Sequence, residues 1–399
     1  MRLCVLTTGH GPADDRVYYK EVLSLLKRPD ELWLAAPGTA EEWAKVDERV
    51  QRISLGAARG VGGRLRAIPR AIARMRALRP DVIHFHDYEL LLAVPFLRLL
   101  TRARLVYDAH EMYPDQVQLS DRIPNWLKPF GTWLVHHFER GMVRLCHAII
   151  TADQPVADSF AATGVPCEVI YNFPRLELFV PDPERVDQIR AERSGRRLLI
   201  YQGSMGIDRG LLQMIESMDA VRRTHPETLL LLVGNLRPAL RTNVDRLIAE
   251  LGLKDHVECV GWVAHSDVVN WIAAADLGLV PFLPVEKYRK NIPVKQFEYM
   301  ACQLPVIGAD LPPIRRFLDT SAAGVLYPAG DRPALQECLL NVLADPSGMT
   351  RMGKAGRKAV EEHWNWDRME VVLLDLYREI LSSAAGNQSI SNSVSSNSR

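Results

Sequence analysis

The sequence predicts an α/β protein of two doubly wound, Rossmann-like domains, each with a parallel sheet, that face each other across a cleft. Three observations predict this fold class. The 399 residues exceed what one hydrophobic core usually holds, and 47% of them are hydrophobic. Short apolar runs alternate with segments of helical periodicity in two long series, which is typical of parallel sheets covered by helices. A proline-rich break separates the two series.

The first series predicts seven strands. They are Leu3–Thr7, Leu32–Ala36, Gln51–Leu55, Val82–Phe85, Leu105–Tyr107, Ala148–Thr151 and Glu168–Tyr171. Ligands of doubly wound sheets bind beyond the carboxyl ends of the strands. The segments that follow three of these runs are therefore candidate site segments: Gly9–Gly11, His86 with Asp87, and Asp108–Glu111.

The break between the series lies at Asn172–Pro183, where three prolines fall within twelve residues. It predicts an N-terminal domain over residues 1–172, a hinge over residues 173–196 and a C-terminal domain over residues 197–365. The two series therefore correspond to two domains.

The second series predicts six further strands. They are Leu198–Tyr201, Leu229–Val233, Val257–Val260, Leu277–Val280, Val306–Gly308 and Val325–Tyr327. An amphipathic pattern then predicts a crossover helix over residues 366–381. The remaining residues, 382–399, are rich in Ser and Asn and are expected to be disordered.

Charge and cysteine content limit the class of partner and the compartment. The 49 Lys and Arg residues nearly balance the 48 Asp and Glu residues, so no general attraction to nucleic acid is expected. The 6 cysteines include no C-x-x-C pair, which is typical of reduced thiols in the cytoplasm. Neither a signal-peptide pattern nor an apolar run of about 18 residues is found. We therefore predict a cytoplasmic protein.

The stretch of residues 284–310 is the strongest candidate for chemistry. It predicts a charged loop, a short helix and a buried strand in succession. Helical spacing places Lys295 and Glu298 on one side of that helix. A cation and a carboxylate one turn apart suit a ligand that is anionic at one end and carries a hydroxylated ring at the other. This description fits a nucleotide sugar.

A second candidate is the glycine-rich loop Gly203–Gly210, which lies between a predicted strand and a predicted helix. Backbone N–H groups in such a loop can bind phosphate, and Arg209 supplies a positive charge. The spacing matches neither G-x-G-x-x-G nor the Walker lysine loop, which disfavours a dehydrogenase or a P-loop protein. Taken alone, the loop is more typical of a plain strand-to-helix turn.

Histidines at two strand ends are candidates for metal ligands or for residues that line a cleft. His84 and His86 lie on one face of a predicted strand, but no acidic or cysteine partner stands at ligand spacing. Packing or a cleft-lining role is therefore expected, and no metal site is predicted. Asp108 and Glu111 flank His110 and are candidates to orient it. Strand-end polarity, with Glu111 capping a turn, is the alternative.

Several motifs together resemble glycosyltransferase family 4. In chain order they are DDRVYYKEVLSL, DVIHFHD, LVYDAHEMYP, CEVIYNFP, YQGSMGIDRG and NIPVKQFEYMACQLPVIGADLP. The last is similar to the Pro-x-Lys-x-x-Glu-Tyr-Met-Ala run of one branch of the family. The resemblance extends to about Leu381. It implies GT-B architecture and retaining, metal-independent transfer of a hexose from a nucleoside diphosphate sugar. That donor is a substrate, so no cofactor is expected.

The resemblance also implies roles for single residues. Glu298 would bind the ribose hydroxyls, and Arg209 and Lys295 would neutralise the diphosphate leaving group. His110 would contact the donor sugar near the reacting carbon. The loop that ends at Gly11 would touch the donor phosphate or the acceptor.

Two positions depart from the family pattern. Many relatives carry two glutamates separated by seven residues, and Lys290 stands where the first of them would be. Relatives also often carry an arginine directly after the first glycine of the phosphate loop, where Ser204 follows Gly203 here. The first departure concerns how the hexose hydroxyls are held. The second favours Lys295 as the cation that acts beside Arg209.

The substrates that the resemblance implies are a UDP- or GDP-linked sugar and a glycan or lipid-linked acceptor, in cell-surface polysaccharide or glycoconjugate biosynthesis. Two other functions fit the same motifs. A nucleotide-sugar 2-epimerase of this fold would change the sugar without an acceptor. A non-catalytic subunit of a polysaccharide assembly complex would bind a sister enzyme without turnover.

The segment Arg59–Arg79 contains seven arginines and no acidic residue. An apolar stripe is expected to pack on the N-terminal sheet: Leu65, Ile68, Ile72 and Met75. The outward positions are then Arg66, Arg70 and Arg74. Such a basic face would bind an anionic membrane surface and place the protein on the inner face of the membrane. A solvated basic helix without a partner is the alternative.

Overall fold

The computed structural model describes residues 1–28, 31–56, 60–120 and 123–395. Arg59 and residues 396–399, the end of the predicted tail, lie outside the described residues. The chain forms two compact units. The first contains Met1–Asn172 together with the chain from Asp367 onward, and the second contains Phe173–Trp366.

The first unit is built on a seven-stranded parallel sheet with the order β3-β2-β1-β4-β5-β6-β7. Its strands are β1 (Arg2–Leu6), β2 (Glu31–Ala36), β3 (Gln51–Ser54), β4 (Val82–Phe85), β5 (Arg104–Ala109), β6 (Ala148–Thr151) and β7 (Cys167–Val169). All seven predicted runs form strands. Because β1 pairs with both β2 and β4, the strand order reverses there, and ligands bind at such a reversal in doubly wound sheets.

Helices cover this sheet. A π-helix (Asp15–Val22) continues into α1 (Leu23–Leu25), followed by α2 (Ala40–Ala44), α3 (Gly60–Leu78), a 3-10 helix (Tyr88–Ala93), α4 (Val94–Leu100), α5 (Tyr113–Leu119), α6 (Lys128–Val143), α7 (Gln154–Phe160) and a 3-10 helix (Ala161–Thr163). The core between sheet and helices contains Phe85, Leu105, Tyr107 and Ile149, all fully buried.

The arginine-rich segment forms helix α3 as predicted, with a difference on its apolar face. Ile68 and Met75 are buried, and Arg66, Arg70 and Arg74 are exposed. Leu65, which was expected to pack on the sheet, is exposed. The face that packs instead includes the small residues Ala67 and Ala71.

The second unit is built on a six-stranded parallel sheet with the order β10-β9-β8-β11-β12-β13. Its strands are β8 (Arg197–Gln202), β9 (Thr228–Val233), β10 (Val257–Gly261), β11 (Leu277–Val280), β12 (Val306–Ala309) and β13 (Gly324–Tyr327). All six predicted runs of the second series form strands. Both sheets are parallel, so the prediction of two doubly wound domains is confirmed.

The helices of the second unit alternate with its strands. They are a 3-10 helix (Leu176–Leu178), α8 (Pro183–Ala191), a 3-10 helix (Ile207–Arg209), α9 (Leu211–Thr224), α10 (Pro238–Glu250), α11 (His265–Ala273), a 3-10 helix (Glu286–Arg289), α12 (Lys295–Ala301), α13 (Pro312–Ser321), α14 (Arg332–Leu343) and α15 (Pro346–Glu362). Helix α8 lies inside the segment predicted as a hinge, and the contacts group it with the second unit.

The last helix, α16 (Trp366–Ser395), is longer than the predicted crossover helix over residues 366–381. The helix continues through Ser395, into the segment predicted as a tail. It buries Leu373 and Tyr377 in the first unit. Among the described residues, none of the helices combines the length and the apolar character needed to cross a membrane.

Candidate functional site

The candidate residues of the second unit gather at the carboxyl ends of β8 and β11, which are neighbouring strands. Gly203 directly follows β8, and Lys295 and Glu298 lie on α12. The backbone N–H of Gln202 donates to the hydroxyl oxygen of Tyr299 over 3.1 Å. This bond fastens α12 to the end of β8 and brings its charged residues to the glycine-rich loop.

Lys295 is a buried cation, with 7% of its surface exposed. Its Nζ atom has no hydrogen-bond partner among the described residues. The ammonium lies 3.5 Å from the centre of the Tyr201 ring and 5.2 Å from that of Phe282, so aromatic faces are its nearest favourable contacts. Burial and the nearby charge of Arg209 hold the pKa of Lys295 well below its usual value. An anion bound here would pair with a positive charge that has no other ionic partner within the described ranges.

Arg209 lies beside the same aromatic cluster. Its guanidinium carbon is 5.8 Å from the centre of the Phe282 ring and 6.0 Å from that of Tyr288. The Tyr288 hydroxyl donates to Asp208 Oδ2 over 2.7 Å, which holds the ring in place. Arg209 and Lys295 therefore flank one ring, Phe282, and the structure brings together the two cations that the sequence analysis paired.

Glu298 is half-buried and accepts a hydrogen bond from the side-chain amide of Gln202. Gln202 was not singled out from the sequence, although its position at the strand end, directly before the glycine loop, is a usable signal. A side chain cannot replace the hydrogen of Gly234, because its Cβ would lie 2.2 Å from the carbonyl oxygen of Gly203. The chain after β9 therefore packs directly against the glycine-rich loop.

The two departures from the family pattern take separate places. Ser204 is exposed, and its carbonyl oxygen accepts a hydrogen bond of 3.0 Å from the Tyr201 hydroxyl. Lys290 is half-buried, and its Nζ atom lies 3.1 Å from Glu286 Oε1. A carboxylate is thus present one helical turn before the position where relatives have their first glutamate.

In the first unit, Asp87 organises the loop that contains Gly11. One of its carboxylate oxygens accepts hydrogen bonds from the Thr7 hydroxyl at 2.6 Å, the Thr8 N–H at 2.8 Å and the Gly9 N–H at 3.0 Å. Asp87 has a positive φ of 70°, which is uncommon for a residue with a side chain. These bonds offset the strain and fix the loop after β1 against the end of β4.

His110 lies at the end of β5 beside two further histidines. Its Nε2 atom is 2.9 Å from His86 Nδ1, and its ring centre is 5.3 Å from that of His10. Burial, together with the charge of Arg16, lowers the pKa of His110 to about 4, so the imidazole is neutral near pH 7.

Of the two acidic residues that flank His110, Asp108 is the closer. Its Oδ1 atom lies 3.8 Å from His110 Nδ1. Glu111 accepts a hydrogen bond from the Gln116 side chain. The candidate residues His110 and Gly11 thus belong to the first unit, and Arg209, Lys295, Glu298, Gly203, Ser204 and Lys290 belong to the second.

The expectation that His84 and His86 lack acidic partners is wrong. Glu21 Oε2 lies 3.3 Å from His86 Nε2, and Asp108 Oδ2 lies 3.7 Å from His84 Nε2. Arg16 forms ion pairs with both carboxylates. Burial raises the pKa of Glu21. Burial would also raise the pKa of Asp108, but Arg16 and the imidazoles hold that pKa well below its usual value. Spacing along the chain did not show this cluster, because its members come from separate elements.

Known protein families match both units. Residues 16–177 match the model described as "Glycosyltransferase Family 4", and residues 182–359 match the model described as "Glycosyl transferases group 1". The two matches follow each other along the chain: the first covers most of the first unit and ends five residues beyond its boundary at Asn172, and the second lies within the second unit.

Individual proteins are also similar to this chain. A glycogen synthase of Mycobacterium tuberculosis is 23% identical over 319 residues, which cover 76% of this chain and 69% of the relative. A GDP-mannose-dependent monoacylated alpha-(1-6)-phosphatidylinositol monomannoside mannosyltransferase of Corynebacterium glutamicum is 30% identical over 167 residues, 40% of this chain and 42% of the relative. The structure of Anabaena Alr3699/HepE in complex with UDP has a TM-score of 0.72 and 16% identity, covering 96% of this chain and 100% of that one.

This last likeness concerns the fold, which is GT-B, with two Rossmann-like domains. From the tandem family matches over residues 16–177 and 182–359, we conclude that the chain belongs to glycosyltransferase family 4.

Proposed function

We propose that this protein transfers a hexose from a nucleoside diphosphate sugar to a glycan or lipid-linked acceptor, with retention of the anomeric configuration. One observation carries the proposal: the unpaired, buried ammonium of Lys295 and the guanidinium of Arg209 flank one aromatic ring at the strand ends of the second unit. Two cations with one half-buried carboxylate nearby suit a diphosphate attached to a ribose.

In the proposed complex, Arg209 and Lys295 bind the diphosphate. As the bond to the sugar breaks, negative charge grows on the leaving phosphate, and two fixed cations stabilise it more than they stabilise the bound donor. Gly203 has a φ of +106°, and a Cβ there would lie 3.7 Å from Lys295 Nζ, so the loop presents its backbone directly to this cation. Ser204, exposed beside it, offers a hydroxyl to a phosphate oxygen.

Glu298 binds the ribose in this proposal. An ionised carboxylate has two oxygens and accepts from both hydroxyls of a vicinal diol. The amide of Gln202 donates to one Glu298 oxygen and so fixes the orientation of the carboxylate. The ion pair between Lys290 and Glu286 replaces the family's first glutamate as the contact to the sugar hydroxyls.

In the proposed reaction the first unit binds the acceptor. His110 is neutral near pH 7 and offers a hydrogen bond to a sugar hydroxyl near the reacting carbon. The loop at Gly11 contacts the donor phosphate or the acceptor. The acceptor hydroxyl attacks from the side of the leaving group, and a donor phosphate oxygen takes its proton. The protein supplies position and charge, and no covalent sugar–enzyme intermediate is invoked.

The donor specificity rests on the relatives. The Anabaena structure was determined with UDP, and the Corynebacterium enzyme is named GDP-mannose-dependent. Thermal-shift measurements with UDP, GDP and their sugars decide between these nucleotides, because a ligand that binds only the folded state raises the melting temperature.

Activity is tested by incubating the purified protein with a panel of nucleotide sugars and acceptors and measuring diphosphate release. Arg209→Ala and Glu298→Ala should each lower kcat/KM at least about 100-fold, which corresponds to about 2.7 kcal/mol. Matched controls are Arg241→Ala and Glu250→Ala, which change exposed residues of α10. Unchanged transfer in both site variants, or no binding of any nucleotide sugar, overturns the proposal.

The same assay separates the other functions. The NMR coupling constant of the new glycosidic bond reports retention or inversion. A free epimeric sugar formed without acceptor would identify a 2-epimerase, and turnover only in the presence of a sister enzyme would identify a non-catalytic subunit. We expect transfer without added Mg²⁺ or Mn²⁺, since the cationic side chains of Arg209 and Lys295 take the role that such a metal ion has at a diphosphate.

We also propose that the first unit binds an anionic membrane surface. Near the start of α6, Trp126 is 80% exposed, Phe130 57% and Trp133 55%. Helix α3, with its exposed arginines Arg66 and Arg70, packs near α4 in the same unit. Aromatic side chains that insert at the lipid interface and arginines that attract anionic head groups are the two components of peripheral binding.

This membrane proposal is tested by co-sedimentation with vesicles. Wild type should bind vesicles that contain phosphatidylglycerol and should bind pure phosphatidylcholine vesicles at least about 10-fold more weakly. Trp126→Ser with Trp133→Ser should lose binding, whereas Trp262→Ser, an equally exposed tryptophan of the second unit, should keep it. Equal binding by both variants would contradict the proposal.

A further inference from the structure

Four ligand-type side chains converge inside the first unit. Glu21 comes from the π-helix Asp15–Val22, His84 and His86 belong to the end of β4, and Asp108 lies on β5. One atom from each lies within 4.8 Å of every other. All four side chains are at most 1% exposed, so solvent does not satisfy them.

Several of the atoms that face one another have no hydrogen-bond partner. Neither oxygen of Glu21 has a hydrogen-bond partner among the described residues, and the same holds for Nε2 of His84 and of His86. Glu21 Oε1 faces Arg16 Nε at 3.0 Å as an ion pair, but Oε2 points to the two imidazoles. Buried polar atoms of this kind are costly unless something else binds them.

The separations are too long for good hydrogen bonds and fit ligands around an ion. Glu21 Oε2 lies 3.3 Å from His86 Nε2 and 3.7 Å from His84 Nε2, and the latter is also 3.7 Å from Asp108 Oδ2. Around a tetrahedral Zn²⁺ with bonds of about 2.0 Å, neighbouring ligand atoms lie about 3.3 Å apart. Small movements of the side chains would close the ligand sphere.

The outer nitrogens of the two imidazoles are already paired, as in metal-bound histidines. His84 Nδ1 is 2.9 Å from the Tyr377 hydroxyl, and His86 Nδ1 is 2.9 Å from His110 Nε2. In the tautomer in which Nδ1 of each ring carries the hydrogen and donates to these partners, Nε2 carries the lone pair and is free to bind an ion.

Charge is also compatible with a cation. The two carboxylates also pair with Arg16, so a divalent ion would leave one net positive charge in the cluster, which the nearby carboxylates of Asp14 and Asp153 reduce. Arg16 Nη2 lies 3.1 Å from Asp108 Oδ2, and Arg16 Nε lies 3.0 Å from Glu21 Oε1. Arg16 therefore orients both carboxylates.

We propose that Glu21, His84, His86 and Asp108 bind one divalent transition-metal ion, for which Zn²⁺ is the best match to two imidazoles and two carboxylates. Four protein ligands leave no open position, so the site is structural. It joins the N-terminal helix to β4 and β5 and fixes the ring of His86, against which His110 rests. No step of the proposed sugar transfer passes through it.

The test is elemental analysis of full-length protein purified without a histidine tag and dialysed against metal-free buffer. Wild type should retain about one Zn²⁺ per chain, and Glu21→Gln should retain less than about a fifth of that amount. Glu139→Gln changes another buried carboxylate of the same unit and should retain the zinc. His136→Ala with His137→Ala, on α6, controls for zinc bound elsewhere and should also retain it.

A second readout works even if Glu21→Gln folds poorly. Wild type stripped with a strong chelator should melt at least about 5 °C lower, and Zn²⁺ should restore the melting temperature. Wild type that contains no metal and whose melting temperature does not respond to Zn²⁺ overturns the proposal. So does a histidine ¹⁵N NMR spectrum of the Zn²⁺-treated protein in which both Nε2 atoms carry protons. Neither readout needs a nucleotide sugar, so both are independent of the transferase assay.

Discussion

The ammonium of Lys295 lies 3.5 Å from the centre of the Tyr201 ring and makes no hydrogen bond in the described part of the chain. A buried cation without an anionic partner costs stability, and only part of that cost is recovered from the ring. In this molecule the arrangement is consistent with a site prepared for an anion. The arrangement predicts that removing the Lys295 ammonium stabilises the free protein but weakens its ligand binding.

Lys295→Met should therefore stabilise the free protein while weakening its ligand binding. Removing the buried, unpaired amino group, which costs free energy to desolvate or to charge, should raise the free energy of unfolding by about 1 kcal/mol, after subtraction of the lost contact with Tyr201. UDP and GDP should no longer raise the melting temperature. Denaturant titration and thermal shift measure the two effects. Lys290→Met is the control, since Lys290 is half-buried and paired with Glu286, and a destabilised Lys295→Met would show that the ammonium is paired.

Binding of a nucleoside diphosphate should take up a proton. Burial and Arg209 hold the pKa of free Lys295 well below its usual value, and a diphosphate beside it would raise that pKa again. At any pH between the free and the bound pKa, Lys295 is neutral before binding and charged afterwards. Calorimetry of UDP or GDP binding in buffers of different ionisation enthalpy measures this uptake. A Lys295→Met variant that still binds the nucleotide should take up no proton. Equal proton uptake by that variant would contradict the assignment of the uptake to Lys295.

Any residue other than glycine at position 210 should cause a large loss of stability. The φ of Gly210 is +77°, and a Cβ there would lie 2.0 Å from the carbonyl oxygen of Pro281, which follows β11. Gly210→Ala should lower the free energy of unfolding by about 3 kcal/mol or more, because strain and a backbone clash add up. Gly195 has a φ of +73° with open space around it, so Gly195→Ala reports the strain alone, about 1 kcal/mol. Equal losses in the two variants, measured by urea unfolding, would rule out the clash.

Glu139 should make stability depend on pH. Burial raises its pKa from 4.5 to about 7, against the opposing effects of the Tyr107 hydroxyl and Arg140. Between these values the native state keeps a proton that the unfolded state has released, so the free energy of unfolding falls as the pH rises. Wild type should lose about 2 to 3 kcal/mol relative to Glu139→Gln between pH 4.5 and pH 8. Parallel pH profiles for the two proteins would contradict this prediction.

The sheets were predictable because most of their strands are buried. Runs such as Leu229–Val233 and Ala148–Thr151 are short, apolar and bounded by turn or helix signals, and all thirteen predicted runs form strands. The helix signal failed on the packed face of α3. Leu65 was assigned to the packed face by its apolar side chain, but Ala67 and Ala71 pack there instead.

The candidate sites were predictable where sequence neighbours act together. Lys295 and Glu298 share α12, and Arg209 belongs to the glycine-rich loop itself. Contacts between distant segments were not predictable, because spacing along the chain carries no information about them. The approach of Glu21 to His86 is one case, and the hydrogen bond between Gln202 and Glu298 is another.

Helix α16 returns to the first unit after the whole second unit has been completed. There Glu370 accepts a hydrogen bond from Ser24 at 2.7 Å and pairs with Lys27, and Tyr377 meets His84. During synthesis on the ribosome, the first 172 residues must therefore wait for nearly the entire chain before their last packing partner emerges. A stable, isolated first unit would have to be made by joining residue 172 to the segment that begins at residue 367, and not by truncation.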